Sequence, residues 1–247
     1  MIYSPLDAFD ANLSEAHIFF GDVVNPPDLS SIHVAVIWTL LGLKQDCSVL
    51  ELGCGYGRIA NRLAEKGARV TGIDTSQALL KKATADATEG GVNVEYVLGD
   101  IRSLPWRDRF DAAVLWDATF GYFDDADNEK VLHEAASSLR CGGRLLIESE
   151  NRYAFLHQRS PISLVQRDDD LRVDITSNDV LSDRRNIERI FVRDGCVRRM
   201  HLSLRQYGFS EFVRMLRSAG FGTVEAYGQE GGPFTSDSAS LVVVAYK

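Results

Sequence analysis

Short apolar segments alternate with helix-like segments through residues 48–150, and this alternation restricts the fold more than any other feature of the sequence. Five segments have the length and apolar character of buried strands: 48–52, 69–73, 93–98, 111–115 and 143–148. Segments typical of helices lie between them, at 57–66, 76–88 and 127–139. Because the connections are short, this order favours a parallel sheet that is covered by helices on both faces.

Composition and charge exclude several classes of protein. The 247-residue chain is 45 % apolar and 25 % charged, as in ordinary globular proteins. Its net charge of −8 disfavours a nucleic-acid binder, because a phosphate backbone repels an acidic surface on average. The four cysteines lie 7, 87 and 55 residues apart, which fits neither a zinc site nor a disulfide framework. We therefore expect a cytoplasmic protein with reduced cysteines, no metal and no membrane span.

A glycine-rich turn follows the first predicted strand, in the sequence E-L-G-C-G-Y-G-R at residues 51–58. Its glycines allow a ligand to approach the backbone, and open α/β sheets bind ligands beyond the carboxyl ends of their strands. A plain strand-to-helix turn is the alternative. The acidic residues Glu51 and Asp74 favour a ligand site over a plain turn. A carboxylate at the position of Asp74 can bind both hydroxyls of an adenosine ribose. A helix N-cap at Asp74 or Thr75 is the competing interpretation.

A further acidic residue, Asp100, follows the third predicted strand. Its carboxylate can accept a hydrogen bond from an adenine amino group while the neighbouring Ile101 packs on the ring. The alternative is an aspartate that caps the backbone of a turn, and the sequence leaves both interpretations open.

The order of these motifs resembles that of the class I S-adenosylmethionine (SAM)-dependent methyltransferases. The motifs are E-L-G-C-G-Y-G, G-I-D-T-S, G-D-I, F-D-A-A-V-L-W and L-R-C-G-G-R-L-L-I-E, followed near the C-terminus by A-G-F-G-T-V-E-A-Y and S-L-V-V-V-A-Y-K. The resemblance implies a Rossmann-like, seven-stranded sheet of order 3-2-1-4-5-7-6, with strand 7 antiparallel and helices on both faces. It also implies SAM as the cofactor and S-adenosylhomocysteine (SAH) as the product.

The resemblance also implies which residues contact the cofactor. It places the methionine part at the glycine turn and beside the carbonyl of Trp116, the ribose at Asp74, and the adenine at Asp100. The implied cofactor-binding residues are Glu51, Gly53, Cys54, Gly55, Asp74, Thr75, Leu79, Asp100, Ile101 and Trp116.

A nicotinamide cofactor is the main alternative ligand. The dinucleotide fingerprint G-x-G-x-x-G requires a small residue where this chain has Arg58, and Gly57 comes one residue too early. A nicotinamide cofactor therefore fits this turn less well than SAM does. Arg58 either reaches the carboxylate of the methionine part or is a solvated helix residue, and we favour the second interpretation.

The alternation of strands and helices stops at residues 151–205, and the sequence of this segment predicts a separate structural unit. These residues lack helical periodicity, contain an Asp194-Gly195 hairpin signal, and hold 11 arginines, no lysine and 8 acidic residues. We expect a small antiparallel unit, and the resemblance to the methyltransferases implies that it forms a β-cap over the substrate site. It would be inserted in a SAM-binding core of residues 1–150 and 206–247. Within that core, residues 1–45 would form N-terminal helices or a lid, with one helix over 31–43 capped by Ser30 or Ser31.

We predict a SAM-dependent methyltransferase that acts on an oxygen or nitrogen atom of a small-molecule acceptor, with secondary metabolism as one setting. The alternatives are a protein or peptide N-methyltransferase and a non-catalytic SAM-binding protein. We expect no nucleic-acid or membrane partner, and a monomer or homodimer. A hydroxyl or ammonium acceptor needs a general base, whereas a tertiary amine or thiolate does not.

The residues around the fourth and fifth predicted strands supply the candidates for chemistry. The catalytic candidates are Asp117, Tyr122 and His157. The candidates for substrate binding are Thr119, Tyr122, Tyr153, Arg205 and Tyr207. His17 and Phe20 are expected only as parts of a lid.

Overall fold

The computed structural model describes residues 11–156 and 161–247, which form helices and two β-sheets. The helices are α1 (Ala11–Val24), α2 (Pro27–Leu40), α3 (Arg58–Glu65), α4 (Gln77–Glu89), α5 (Asp125–Ser138), α6 (Arg152–Leu156) and α7 (Phe209–Ser218). The strands are β1 (Ser48–Leu52), β2 (Arg69–Asp74), β3 (Val94–Leu98), β4 (Phe110–Leu115), β5 (Leu139–Glu150), β6 (Ile162–Arg167), β7 (Asp170–Asp179), β8 (Arg184–Arg193), β9 (Cys196–Arg205), β10 (Val224–Gly228) and β11 (Ser240–Tyr246). Within these described ranges, no helix combines the length and the apolar character needed to cross a membrane.

Seven strands form the larger sheet, in the order β3-β2-β1-β4-β5-β11-β10. Strand β11 is antiparallel to both of its neighbours, and all other pairings in this sheet are parallel. Since β10 and β11 are the sixth and seventh strands of this sheet along the chain, the predicted order 3-2-1-4-5-7-6 and the predicted antiparallel strand are both confirmed.

Helices cover both faces of the larger sheet, so its central strand β1 is apolar on both sides. Leu50 packs on the face that holds Leu132 of α5 and Phe212 of α7. Its neighbour Val49 packs on the opposite face, with Ile37 of α2. The carboxyl end of β1 therefore emerges between two helical layers, where a ligand can bind.

Helix α2 begins earlier than predicted. It starts at Pro27, directly after Pro26, so the predicted N-cap at Ser30 or Ser31 is wrong. Proline suits the first position of a helix because the missing N–H has no helical partner there. The N–H of Ser30 instead donates to the carbonyl of Pro26, at 3.0 Å, within the first turn.

The smaller sheet is an antiparallel meander in the order β6-β7-β8-β9. Its β8–β9 hairpin turns at Asp194 and Gly195, whose φ angles of 52° and 72° suit the predicted Asp-Gly turn. The single turn of helix α6, between β5 and β6, was not predicted, because five residues are too few to show a helical period.

Helix α1 packs against the smaller sheet and also against α4. The rings of Phe20 and Phe191 stack with their centroids 5.9 Å apart, in an apolar cluster with side chains of β8 and β9. On the α4 side, the hydroxyl oxygens of Ser14 and Ser76 are 3.0 Å apart. Helix α1 therefore links the smaller sheet to the larger one.

Arg184 of the smaller sheet holds the loop that follows β4. Its guanidinium donates to the carbonyl of Phe123 at 3.0 Å and to those of Gly121 and Tyr122 at 3.3 Å. The N–H of Arg205 donates to the Gly121 carbonyl at 2.8 Å. A Cβ atom at Gly121 would lie 2.6 Å from the Arg205 carbonyl oxygen, so the loop and the sheet fit closely.

Candidate functional site

The turn between β1 and α3 is built on glycines in the left-handed region, with φ angles of 69° at Gly53, 53° at Gly55 and 80° at Gly57. A Cβ atom at Gly53 would collide with Thr119, and one at Gly57 would collide with Tyr96. At Gly55, by contrast, a Cβ atom would have no neighbour within 4 Å. The backbone at Gly55 is therefore left open to a ligand.

A cleft at the carboxyl ends of β1, β2 and β4 brings the predicted residues together. It encloses about 1080 Å³ of space, part of it open to solvent. All ten of the predicted cofactor-binding residues line it, and so do Asp117, Thr119 and Tyr122. The cleft is also lined by Tyr56, Phe123 and Ile59, which were not predicted as site residues.

Asp74 fixes the glycine turn from the neighbouring strand. Its carboxylate accepts hydrogen bonds from the N–H groups of Gly55 and Ser76, at 2.9 Å and 2.8 Å. The N-cap of α4 is Ser76, whose hydroxyl accepts from the N–H of Leu79, rather than Asp74 or Thr75. Burial raises the pKa of Asp74. Each of its oxygens keeps a lone pair that can accept a further hydrogen bond.

Asp100 lines the cleft, and its carboxylate is already paired with the guanidinium of Arg102. The guanidinium of Arg102 donates to its carboxylate, with a shortest distance of 2.7 Å. Burial opposes ionisation of Asp100, but the hydrogen bonds from Arg102 outweigh it and lower its pKa. Arg102 also lies 4.3 Å from the ring centroid of Phe123. An adenine amino group would therefore share Asp100 with Arg102.

Glu51 is buried at the end of β1, and its Oε2 atom has no hydrogen-bond partner among the described residues. Burial raises the pKa of Glu51 to about 8, although the nearby charge of Arg58 opposes the rise. A buried oxygen without a donor is unfavourable, and a cationic donor in the cleft would satisfy it.

The structure shows that Arg58 is buried, so its interpretation as a solvated helix residue is wrong. Helix α2 packs over the start of α3 and encloses the guanidinium, which donates to the Ser30 hydroxyl at 3.1 Å and to Asp117 at 3.3 Å. The Nδ1 atom of His33 lies 3.1 Å from Arg58. Burial and then Arg58 lower the pKa of His33 to about 4, so a neutral His33 can accept this hydrogen bond.

The turn after β4 has two residues in the left-handed region, Asp117 at φ 64° and Ala118 at φ 54°. The N–H of Ala118 donates to Oε2 of the buried Glu148, at 2.8 Å, and the Thr119 hydroxyl donates to the Trp116 carbonyl at 2.6 Å. Burial raises the pKa of Glu148 to about 7. Glu148 was not predicted as a site residue, although a lone acid in the apolar strand L-L-I-E was a signal that could have identified it.

Replacing Glu148 by leucine should weaken SAH binding about tenfold, because the turn that carries Asp117 and Thr119 would lose its anchor. Changing Ala118 to glycine in the same protein should restore part of the affinity, since glycine adopts the left-handed region without strain. Isothermal titration calorimetry measures both, with Ala118→Gly alone as the control. An unchanged SAH affinity in a folded Glu148→Leu protein would contradict this role.

The structure does not bring Tyr153, Arg205 and Tyr207 to the cleft. The guanidinium of Arg205 pairs with Glu211 at 2.9 Å and with Asp125 at 3.4 Å. Tyr207 is buried, and its hydroxyl donates to Asp125 at 2.7 Å. Tyr153 is 50 % exposed. The physical reason is that β9 leads into α7, so Arg205 and Tyr207 reach the face of the larger sheet that α5 and α7 cover.

His17 of α1 forms part of the cleft wall, 5.9 Å from Tyr56 between ring centroids. Burial, and then the charges of Arg189 and Arg172, lower its pKa to about 4, so its imidazole is neutral at pH 7. Burial raises the pKa of Tyr122 to about 12. The remaining catalytic candidate, His157, lies outside the described residues.

Comparison with known proteins agrees with this geometry. Residues 49–143 match the family model of a methyltransferase domain. The chain is 32 % identical over 146 residues to the ubiquinone biosynthesis O-methyltransferase of Alkalilimnicola ehrlichii, and the match spans 58 % of this chain and 58 % of that relative, which is less than two thirds of its length.

Solved structures show the same fold. The CcbJ methyltransferase of Streptomyces caelestis has a TM-score of 0.76 at 24 % identity, over 89 % of both chains. The sugar N-methyltransferase KedS8 of Streptoalloteichus has a TM-score of 0.68 at 17 % identity, over 100 % of this chain and 96 % of the other. At these identities the likeness concerns the fold.

The residues of the cleft fit the chemistry of SAM. An ammonium group would satisfy the buried oxygen of Glu51, and the open backbone at Gly55 leaves room for the chain that carries it. Asp74 has lone pairs available for ribose hydroxyls. Because residues 49–143 match a methyltransferase domain and the strand order is the one that the motifs predicted, the chain contains a methyltransferase domain with the fold of the class I SAM-dependent enzymes, for which SAM is the cofactor.

Proposed function

We propose that the protein transfers a methyl group from SAM to an oxygen or nitrogen atom of a small-molecule acceptor, such as an intermediate of secondary metabolism. The observation that carries the proposal is the single cleft in which all ten predicted cofactor-binding residues lie together. The relatives support a small acceptor, since one is named as an O-methyltransferase and another as a sugar N-methyltransferase.

Specific residues hold the cofactor in this proposal. SAM, when bound, supplies an activated methyl group on a sulfonium. Glu51 binds the ammonium of the methionine part, beside the open backbone at Gly55. Asp74 binds the ribose, and Asp100 and Ile101 border the adenine. The open space around Gly55 supports this assignment, because a Cβ atom there would have no neighbour within 4 Å.

The acceptor lies at the other end of the cleft in this proposal, next to Thr119 and Tyr122 after β4. A neutral His17 can accept a proton or a hydrogen bond from an acceptor hydroxyl or amine. Much of the rate would come from alignment of the acceptor and exclusion of water. We assign these tasks to α1 and to residues 151–205 as a cap, and the packing of Phe20 on Phe191 supports their acting as one unit.

SAH should raise the melting temperature of the protein, and NAD at the same concentration should leave it nearly unchanged. A ligand that binds only the folded state stabilises it by mass action, so the shift reports binding. Differential scanning fluorimetry over a concentration series of each compound measures the two shifts. A larger shift with NAD would contradict the assignment of the cofactor.

The affinity for SAH should rise between about pH 6 and pH 8. Glu51 has a pKa of about 8 because it is buried, so it is mostly protonated in the free protein at the lower pH. The ammonium of SAH favours the ionised carboxylate, so SAH binding releases a proton from Glu51. The affinity therefore rises by up to about tenfold per pH unit, until the pH is high enough that Glu51 is ionised in the free protein.

Calorimetry in two buffers with different ionisation enthalpies measures the proton release. The Glu51→Gln variant should bind SAH more weakly, with neither proton release nor the rise in affinity. A rise of the same size in this variant would assign the pH dependence to another group.

Methyl transfer is tested by SAH production from SAM with a panel of phenols, carboxylic acids, amino sugars and peptides, followed by mass spectrometry of the products. A methylated small molecule supports the proposal. A methylated peptide favours the protein or peptide N-methyltransferase, and SAH binding without turnover on any class favours a non-catalytic SAM-binding protein.

A further inference from the structure

Two arginines of the smaller sheet share one carboxylate. Asp174 of β7 accepts from Nε and Nη2 of Arg189, both at 2.8 Å, and from Nη2 of Arg172 at 2.6 Å. The side chains are only 12 % exposed at Arg172, 11 % at Arg189 and 8 % at Asp174. Burial opposes ionisation of Asp174, but the hydrogen bonds from Arg189 and Arg172 outweigh it and lower its pKa to about 2. The cluster therefore has one positive charge in excess.

This cluster lies on the face of the smaller sheet that packs against α1. Arg189 alternates with Ile187 and Phe191 along β8, and both of these apolar residues belong to the cluster that contacts α1. Asp174 lies opposite Arg189, and Arg172 lies opposite Phe191, in the register of β7 and β8. The excess charge is thus placed between the smaller sheet and α1.

Each guanidinium retains donors for a ligand. Arg172 and Arg189 use Nε and Nη2 on Asp174, and within the described part of the chain neither Nη1 group makes a hydrogen bond. In the described part of the chain, neither Nη1 atom is among the fully buried side-chain atoms that lack a hydrogen-bond partner. Arginines that are held in place and still have accessible N–H groups are suited to bind a carboxylate or another anionic oxygen.

The cluster is close to the acceptor end of the cleft. His17 and Tyr122 line the cleft, and Tyr122 also packs in the apolar cluster that contains Phe191. Neither arginine itself lines the cleft, but burial and then the charges of Arg189 and Arg172 lower the pKa of His17, which does. Another ion pair nearby, Arg185 with Glu150, is balanced.

We propose that the methyl acceptor carries an anionic oxygen group, a carboxylate or an ionised phenol, which binds next to Arg189 and Arg172. An anion in this position would balance the excess charge of the arginine cluster, whereas an ammonium would add to it. The inference rests on the proposed function, because it names the substrate class of the same cleft.

The experiment compares matched anionic and neutral probes on the SAH-saturated protein. The pairs are benzoate with benzamide, 3-phenylpropionate with 3-phenylpropionamide, and 4-nitrophenolate with 4-nitroanisole. Ligand-detected NMR titration gives the affinities. At least one ionised probe should bind about 10- to 100-fold more tightly than its neutral partner, the range for a charge-assisted hydrogen bond. The carboxylate and phenolate arms identify which anion the site prefers.

Variants then show whether the arginine cluster is responsible. Arg189→Gln leaves Asp174 paired with Arg172 alone, so the preference for the anion should fall to about threefold or less. Arg172→Gln should act in the same way if Arg189→Gln does not fold. The control is Arg199→Gln, since Arg199 is 57 % exposed and pairs with Glu188 on the opposite face of the sheet.

The outcomes separate this inference from the proposed function. Equal binding of ionised and neutral probes by a wild-type protein that binds SAH would overturn the inference and leave the methyltransferase proposal intact. An unchanged anion preference in both folded arginine variants would do the same. Failure of the wild-type protein to bind SAH would instead contradict the proposed function.

Discussion

Replacing Phe191 by alanine should lower the free energy of unfolding by about 3–5 kcal/mol, the largest loss of stability that we expect from a single truncation. Phe191 is fully buried, and its ring stacks on that of Phe20 in α1. Truncation removes this contact and leaves a cavity between α1 and the smaller sheet. Urea unfolding followed by circular dichroism gives the free energy.

Val197 offers a matched control in the same sheet, because it is 59 % exposed. Val197→Ala should change the free energy of unfolding by less than about 0.5 kcal/mol. Since α1 also carries His17 in the cleft wall, Phe191→Ala should weaken SAH binding as well. Equal stability of the two variants would show that the packing of Phe191 on α1 contributes little.

Asp74→Ala should weaken SAH binding by about 1–3 kcal/mol, the range for hydrogen bonds to a charged group. The loss has two sources in the structure. The carboxylate holds the N–H of Gly55 in the glycine turn, and it is the group that we assign to the ribose hydroxyls. Calorimetric titration with SAH measures the change, and thermal unfolding reports the stability separately.

Two further variants divide these roles. Asp86→Ala is the control for removal of an acid from the same region, since Asp86 pairs with Lys82 on the surface of α4, and SAH affinity should be unchanged. Asp74→Asn keeps one acceptor oxygen and should have an intermediate affinity. If Asp74→Ala lowers stability but leaves SAH affinity intact, Asp74 serves the turn alone and the ribose assignment fails.

The sequence, with the family resemblance that its motifs carry, predicted the larger sheet and ten of the residues that line the cleft. Strand alternation predicts parallel pairing, and the carboxyl ends of such strands meet at one edge. Glu51, Asp74 and Asp100 each lie at or near a strand end, so local pattern alone placed them in one cleft. The hairpin at Asp194 and Gly195 was also predictable, because the turn is encoded by two adjacent residues.

The contacts that were missed join residues far apart in the chain. Arg58 is buried by Ser30 and His33, which are 28 and 25 residues away and belong to α2. Glu148 reaches Ala118 across 30 residues. Periodicity within a short segment of sequence does not indicate contacts between residues so far apart. A charged residue at the start of a helix is also more often exposed than buried.

The same limit explains why some residues that were predicted at the acceptor site lie elsewhere in the structure. Arg205 and Tyr207 were assigned from the place where the chain returns to the larger sheet. The direction of that return depends on how β9 meets α7, and the sequence does not specify it. Conversely, α1 lies between two units, and a segment of mixed polarity gives no sign of which unit it contacts.

The fit between Arg184 and the loop after β4 determines how this protein can be re-engineered. A smaller sheet taken from another methyltransferase, without an arginine at the position of Arg184, would remove one donor from each of three loop carbonyls, of which those of Gly121 and Phe123 would keep the Arg205 N–H and the Asn128 side-chain amide. Any side chain at position 121 would meet the returning strand at Arg205. A chimera with a new acceptor range therefore has to exchange residues 117–123 and 162–205 together, as a single transplanted module.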